Sequence, residues 1–92
     1  MASPIPENYP YTSAMLDHEY EDEIDLSGLL CPLPVLKARK HLAGMQSGHV
    51  LKVLATDPLA AIDMPHFCSE QGHELLESLK DGDVLEFRIR RK

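Results

Sequence analysis

The run Cys31-Pro32-Leu33-Pro34 places two prolines within three residues after a thiol and so restricts where a helix can begin. Proline is favoured at the first position of a helix, because its missing N–H would be unpaired there and its φ angle is already helical. We therefore expect Pro32 to be the first helical residue and Cys31 to be the N-cap. The few N–H groups left in that first turn, those of Leu33 and Val35, are then expected to point at the sulfur.

A thiol at such a position is expected to be reactive. The N-terminus of a helix carries a partial positive charge, which stabilises an anion and lowers the pKa of a thiol placed there. The alternative is that Cys31 is a small buried hydrophobic residue and that the prolines merely start a helix. We favour the reactive thiol, because an N-cap that follows a strand is usually exposed and polar.

Along the rest of the chain, segments whose apolar residues have the spacing of a strand alternate with segments that have the spacing of a helix. Val35, Ala38, Leu42 and Met45 recur at helical spacing and would cover a sheet. Gly72 suits the left-handed cap of a second helix, and Asp81-Gly82 suits a tight hairpin turn. The predicted strands are 23–27, 49–55, 73–79 and 84–91, and the predicted helices are 32–45 and 63–71, the second with a short helical turn before it.

This order, βαβαββ, predicts an α/β (α+β) two-layer sandwich, in which a mixed four-stranded sheet carries both helices on one face. A right-handed crossover makes the first two strands parallel. Cys31 and the turn at Asp57-Pro58 then open on the same edge of the sheet. Because ligands and partners are met at the carboxyl edge of open α/β sheets, we expect the sulfur to be accessible to another protein.

The formal net charge of −6 is unevenly distributed. Residues 1–25 contain seven Asp and Glu with no Lys or Arg, whereas the remainder contains nine basic and eight acidic residues. We interpret residues 1–22 as an acidic, disordered arm and 23–92 as one folded domain. The arm lacks the pattern of a secretory signal, and no apolar run is long enough to cross a membrane. Two dissimilar cysteines make no disulfide framework, so we expect a reducing cytoplasm.

The first helix carries several basic residues and no acidic one. Lys37, Arg39 and Lys40 either form a solvated face that suits the negative end of the helix or form a docking surface that steers a partner. A nucleic-acid site is not expected, because no aromatic residues interleave this patch and the net charge opposes a polyanion.

The remaining candidate residues favour structural roles. Cys68 lies within the second predicted helix, where core packing is the favoured role. His66, Cys68 and His73 match no structural zinc pattern, so no metal is expected. Asp57 and Asp63 are interpreted as turn or helix caps.

Five blocks of sequence follow one another at compatible spacings: GLLCPLPVLK at 28–37, TDP at 56–58, DMPHFC at 63–68, GHEL at 72–75 and FRIRRK at 87–92. Together they resemble the TusA/SirA family of bacterial sulfur-carrier proteins. The resemblance implies a cysteine, Cys31 in this chain, that accepts sulfane sulfur as a persulfide from a cysteine desulfurase. The sulfur then passes to an acceptor protein, as in tRNA thiolation. Leu30 stands where some members carry a basic residue.

This resemblance implies a relay without a bound cofactor rather than a stand-alone enzyme, and we expect a monomer. The residues expected to support the thiol are Pro32, Leu33, Pro34 and Val35.

Two alternatives stay open. One is a redox or regulatory protein that uses Cys31 with Cys68, for which a Cys-x-x-Cys spacing would have been stronger evidence. The other is a non-catalytic binding module with an incidental thiol. Thiolation of tRNA, molybdenum-cofactor maturation and sulfur oxidation would all use the same loaded cysteine.

Overall fold

A computed structural model describes residues 21–92 of the chain. All but the last two residues of the predicted acidic arm lie outside the described residues. The elements are β1 (Glu21–Leu26), α1 (Leu33–Ala43), β2 (Val50–Ala55), α2 (Ala60–Gln71), β3 (Glu74–Asp81) and β4 (Val84–Arg90). The predicted βαβαββ order is confirmed.

The strands form one mixed four-stranded sheet in the order β1-β2-β4-β3. Strands β1 and β2 are parallel, and β4 runs antiparallel to β2 and to β3. The crossover through α1 therefore brings the carboxyl ends of β1 and β2 to the same edge, as predicted. Neither helix of residues 21–92 has the length and apolar character that a membrane span requires.

The core lies between the sheet and the two helices, because alternate residues of the central strands point toward the helices. On the sheet side the buried residues include Leu51, Val53, Ala55, Leu85, Phe87 and Ile89. The helices cover them with Ala38, Leu42, Ala60, Met64, Phe67 and Cys68. Val35 and Met45, predicted to lie on the buried face of the first helix, are partly buried against this cluster.

The opposite face of the sheet is charged. Lys52 of β2 lies 3.3 Å from both Glu23 and Glu86 on the neighbouring strands. Arg88 of β4 lies between Glu21 and Glu77 in the same way. These partly buried ion pairs make this face polar, so the sheet packs the helices only against its other face.

Several predicted boundaries were wrong. Helix α1 begins at Leu33, so Pro32 is the N-cap and Cys31 precedes the helix by two residues. Helix α2 begins at Ala60 rather than at 63, and Pro65 lies inside it. The turn that follows Asp57, in which the Ala60 N–H donates to the Asp57 carbonyl, starts this helix earlier than predicted. The predicted hairpin is present, but its turn consists of Gly82 and Asp83.

Gly72 ends α2 with a φ of 79°, the left-handed cap that was predicted. Gly72→Ala is expected to lower the free energy of unfolding by about 1 kcal/mol, because a side chain disfavours this conformation. Gly44→Ala is the matched control, since Gly44 caps α1 with a right-handed φ of −90°. Urea denaturation of both variants measures the difference; equal midpoints would contradict the role of the left-handed cap.

Candidate functional site

Cys31 is exposed in the loop between β1 and α1. Two hydrogen bonds tie this loop to the loop between β2 and α2. The Gly28 N–H donates to Thr56 Oγ1 at 2.8 Å, and the Cys31 N–H donates to Asp57 Oδ2 at 2.6 Å. The predicted meeting of the two loops at one edge of the sheet is confirmed, and backbone hydrogen bonds to polar side chains hold it.

Asp57 is the most buried charged residue of the described chain, with only 6% of its surface exposed. Its Oδ1 accepts the Leu59 N–H at 3.1 Å, while its Oδ2 accepts the Cys31 N–H. The first contact confirms the turn cap expected from the sequence, whereas α2 itself has no side-chain cap. The second was missed, because a carboxylate before a proline carries no sign of a partner that lies far away in the chain. Asp57 thus positions the backbone of Cys31.

The side chain of Cys31 is held by a second carboxylate. Its Sγ donates a hydrogen bond to Asp63 Oδ2 at 3.1 Å. Asp63 lies in the first turn of α2 and is half-buried, so its predicted role as a cap was wrong. This hydrogen bond is the largest cause that raises the pKa of the Cys31 thiol, followed by loss of solvent and by the negative charges of Asp63 and Asp57.

The predicted lowering of the thiol pKa by α1 was therefore wrong. The Leu33 N–H, expected to face the sulfur, donates instead to the Leu30 carbonyl at 2.9 Å. Cys31 lies one residue before the N-cap of α1. Its sulfur instead contacts a side chain of α2, the carboxylate of Asp63. Of the residues predicted to support the thiol, Pro34 is buried, Val35 is half-buried, and Pro32 and Leu33 are exposed.

A groove of about 390 Å³ runs from Cys31 between α1 and α2. One wall comes from Val35, Leu36 and Arg39 of α1. The other wall comes from α2, through Asp63, His66, Phe67, Glu70 and Gln71. Arg39, predicted as a docking residue, therefore lies in the groove, whereas Lys37 and Lys40 are exposed on α1 outside its lining.

Large apolar side chains are exposed on the same edge of the molecule as the thiol. Leu30, next to Cys31, is 68% exposed, and Ile62, next to Asp63, is 69% exposed. Leu33 and Leu59, at the beginnings of α1 and α2, are also exposed. The charged groove and this apolar edge together form a surface that another protein can cover.

Cys68 has different surroundings from Cys31. It is buried in the core on α2, and burial raises its pKa to about 11. The predicted packing role is confirmed. The two histidines of the candidate metal site, His66 and His73, contact different residues. His66 Nε2 lies 2.6 Å from Glu70 Oε1, whereas His73 Nδ1 accepts the backbone N–H of Lys92.

Comparison with known proteins points to one family. A family model described as Sulfurtransferase TusA matches residues 22–91. The sulfur carrier protein TusA of Allochromatium vinosum is 45% identical over 79% of this chain and 96% of its own length. The protein of the same name from Pseudomonas putida strain GB-1 is 40% identical over 85% of this chain and 98% of its own. The crystal structure of a SirA-like protein from Desulfitobacterium hafniense matches with a TM-score of 0.66 and 33% identity, covering 74% of this chain and 93% of that one.

Asp57→Ala is expected to lower the free energy of unfolding by about 2 kcal/mol, because two backbone N–H groups lose a buried charged acceptor. Asp25→Ala is the control, since Asp25 accepts one N–H, that of Ser27, at an exposed site. Urea denaturation compares the two variants, and amide resonances show whether the Cys31 loop moves. If Asp57→Ala lowered the free energy of unfolding no more than Asp25→Ala does, the role of Asp57 in positioning the Cys31 loop would be contradicted.

Proposed function

The chain belongs to the TusA sulfurtransferase family, and we propose that it is a sulfur carrier in which Cys31 holds the transferred sulfur. The observation that carries this proposal is the contrast between the two thiols of the chain. Cys31 is exposed at the edge of the sheet beside an open groove, whereas Cys68 is buried. Only Cys31 is accessible to the reactive sulfur of another protein.

The proposed donor is a cysteine desulfurase that carries a persulfide on its own cysteine. The Cys31 sulfur attacks the outer sulfur of that persulfide and forms a new S–S bond. The S–S bond of the donor breaks, and the donor sulfur leaves as a thiol with the proton that Cys31 gave up. Cys31 then carries the outer sulfur as Cys31–S–SH, and an acceptor thiol takes it by the same exchange.

This exchange needs a nucleophilic sulfur and access, and it needs no cofactor. The acceptor is a protein of a sulfur-transfer pathway, of which tRNA thiolation is one and molybdenum-cofactor maturation another. A free carrier thiol persists best in a reducing compartment, so we place the protein in the cytoplasm. The dithiol alternative is less well supported, because burial keeps Cys68 protonated and out of reach.

Partner docking is proposed for the basic residues of α1. Among residues 21–92, no acidic side chain forms an ion pair with Lys37, Arg39 or Lys40. Arg39 also lines the groove beside the thiol. Unpaired cations near a reactive centre increase the rate at which an acidic partner surface is met in the right orientation.

Sulfur loading tests the carrier role directly. After incubation with a cysteine desulfurase and cysteine, intact mass under non-reducing conditions is expected to show one added sulfur on the wild-type chain. Cys68→Ala is expected to load equally, because the buried thiol takes no part. Cys31→Ser is expected to gain none; a loaded Cys31→Ser variant would refute the proposal.

Charge reversal tests the docking residues. The double variant Lys37→Glu, Lys40→Glu is expected to load several times more slowly at low salt and to lose most of its dependence on ionic strength. The control reverses Lys80 and Lys92, which are exposed and lie outside the lining of the groove. Equal loading rates for the two double variants across a salt series would show that the face of α1 is merely solvated.

A further inference from the structure

We infer that Asp63 keeps Cys31 as a protonated thiol in the free protein, and that a sulfur-transfer partner frees the thiolate by presenting a cation to Asp63. The part that concerns a partner rests on the proposed sulfur-carrier function. The part that concerns the free protein rests on the contacts of Cys31 alone.

The contact between the two side chains has a definite direction. The thiol is the donor and the carboxylate the acceptor, with 3.1 Å between Sγ and Oδ2. A carboxylate can accept this hydrogen bond but cannot donate one to a thiolate. Loss of the thiol proton would therefore remove the bond and leave two negative charges at contact distance. The same geometry favours the neutral sulfur and opposes the reactive one.

The other charged groups around the thiol do not offset Asp63. Asp57, from the loop before α2, adds a second negative charge and is bound to the Cys31 backbone. Further along the groove, Glu70 of α2 is paired with His66. Arg39 of α1 lines the same groove, but no basic side chain of residues 21–92 forms an ion pair with Asp63. The carboxylate beside the sulfur is thus available to a cation from outside.

A partner with a lysine, arginine or protonated histidine beside its own reactive cysteine has the chemistry required. Such a cation would pair with Asp63, remove the acceptor of the thiol proton and offset the negative charge at the sulfur. The apolar side chains at Leu30 and Ile62 would be covered in the same complex, and exclusion of water strengthens the new ion pair. The reaction balances, because Cys31–SH and donor–S–SH give Cys31–S–SH and donor–SH.

The pH dependence of alkylation tests the free protein without any partner. The full chain is treated with iodoacetamide over a pH series, and the rate of Cys31 modification is followed by mass spectrometry. In Asp63→Asn and in Asp63→Ala the midpoint of the pH profile of alkylation is expected to move to lower pH. The rate of Cys31 alkylation at pH 7 is expected to rise severalfold. Glu70→Gln, which removes the same charge on the same helix, is expected to leave the midpoint unchanged.

An unchanged or higher midpoint in both folded Asp63 variants would overturn the inference. Urea denaturation identifies a variant that fails to fold, and two substitutions at one position guard against that case. This outcome is distinct from failure of the carrier role, which is decided by sulfur loading on Cys31. A chain that loads sulfur but shows no shift in the alkylation midpoint would retain its function and lose this role of Asp63.

The preference for a cation is tested with charged methanethiosulfonates, which modify thiolates. On the wild-type chain the trimethylammonium reagent is expected to react faster than the sulfonate reagent. In Asp63→Asn the ratio of the two rates is expected to fall by about 25-fold, because one nearby unit charge in water changes each rate about fivefold and acts in opposite directions on the two reagents. Glu70→Gln is expected to keep the wild-type ratio, and a ratio that Asp63→Asn leaves unchanged would refute the role of Asp63 in recognising a cation.

Discussion

The buried carboxylate of Asp57 is the interaction on which the geometry of the site depends. It binds the N–H of Cys31 and the N–H of Leu59, so one side chain holds the loop before α1 and the loop before α2. A buried anion is costly unless hydrogen bonds satisfy it, and backbone N–H groups supply those bonds here. Because the two loops are held together, Asp63 on α2 can contact a sulfur that precedes α1.

The resulting site favours the protonated form of the Cys31 thiol. Reactive cysteines usually lie in electropositive surroundings, whereas Cys31 faces Asp63 and has Asp57 behind its backbone. This arrangement suits the proposed carrier role of Cys31. A permanently ionised, exposed thiol would react with oxidants and electrophiles, while a protonated one is preserved until a partner changes its surroundings.

Much of the fold could be predicted from local patterns. Apolar alternation identified β4, helical spacing identified the buried face of α1, and Gly72 identified the end of α2, since each signal depends on neighbouring residues. Cys31 was identified for the same reason, because the proline that follows it restricts its backbone. The ionisation of its thiol depends on Asp63, which is distant in sequence. A side chain from another element changed the expected direction of the pKa shift, and no local pattern reports such a contact.

The two faces of the sheet make different contributions to the molecule. Ion pairs such as Lys52 with Glu86 keep one face in water, so both helices and the entire core lie on the other. The helix N-termini then meet at a single edge, together with the exposed leucines and the thiol. Burial of both helices against one face leaves the apolar side chains at that edge exposed. In the mechanism we propose, the charge of Asp63 beside the thiol makes the chemistry of the sulfur depend on the charge that a partner presents.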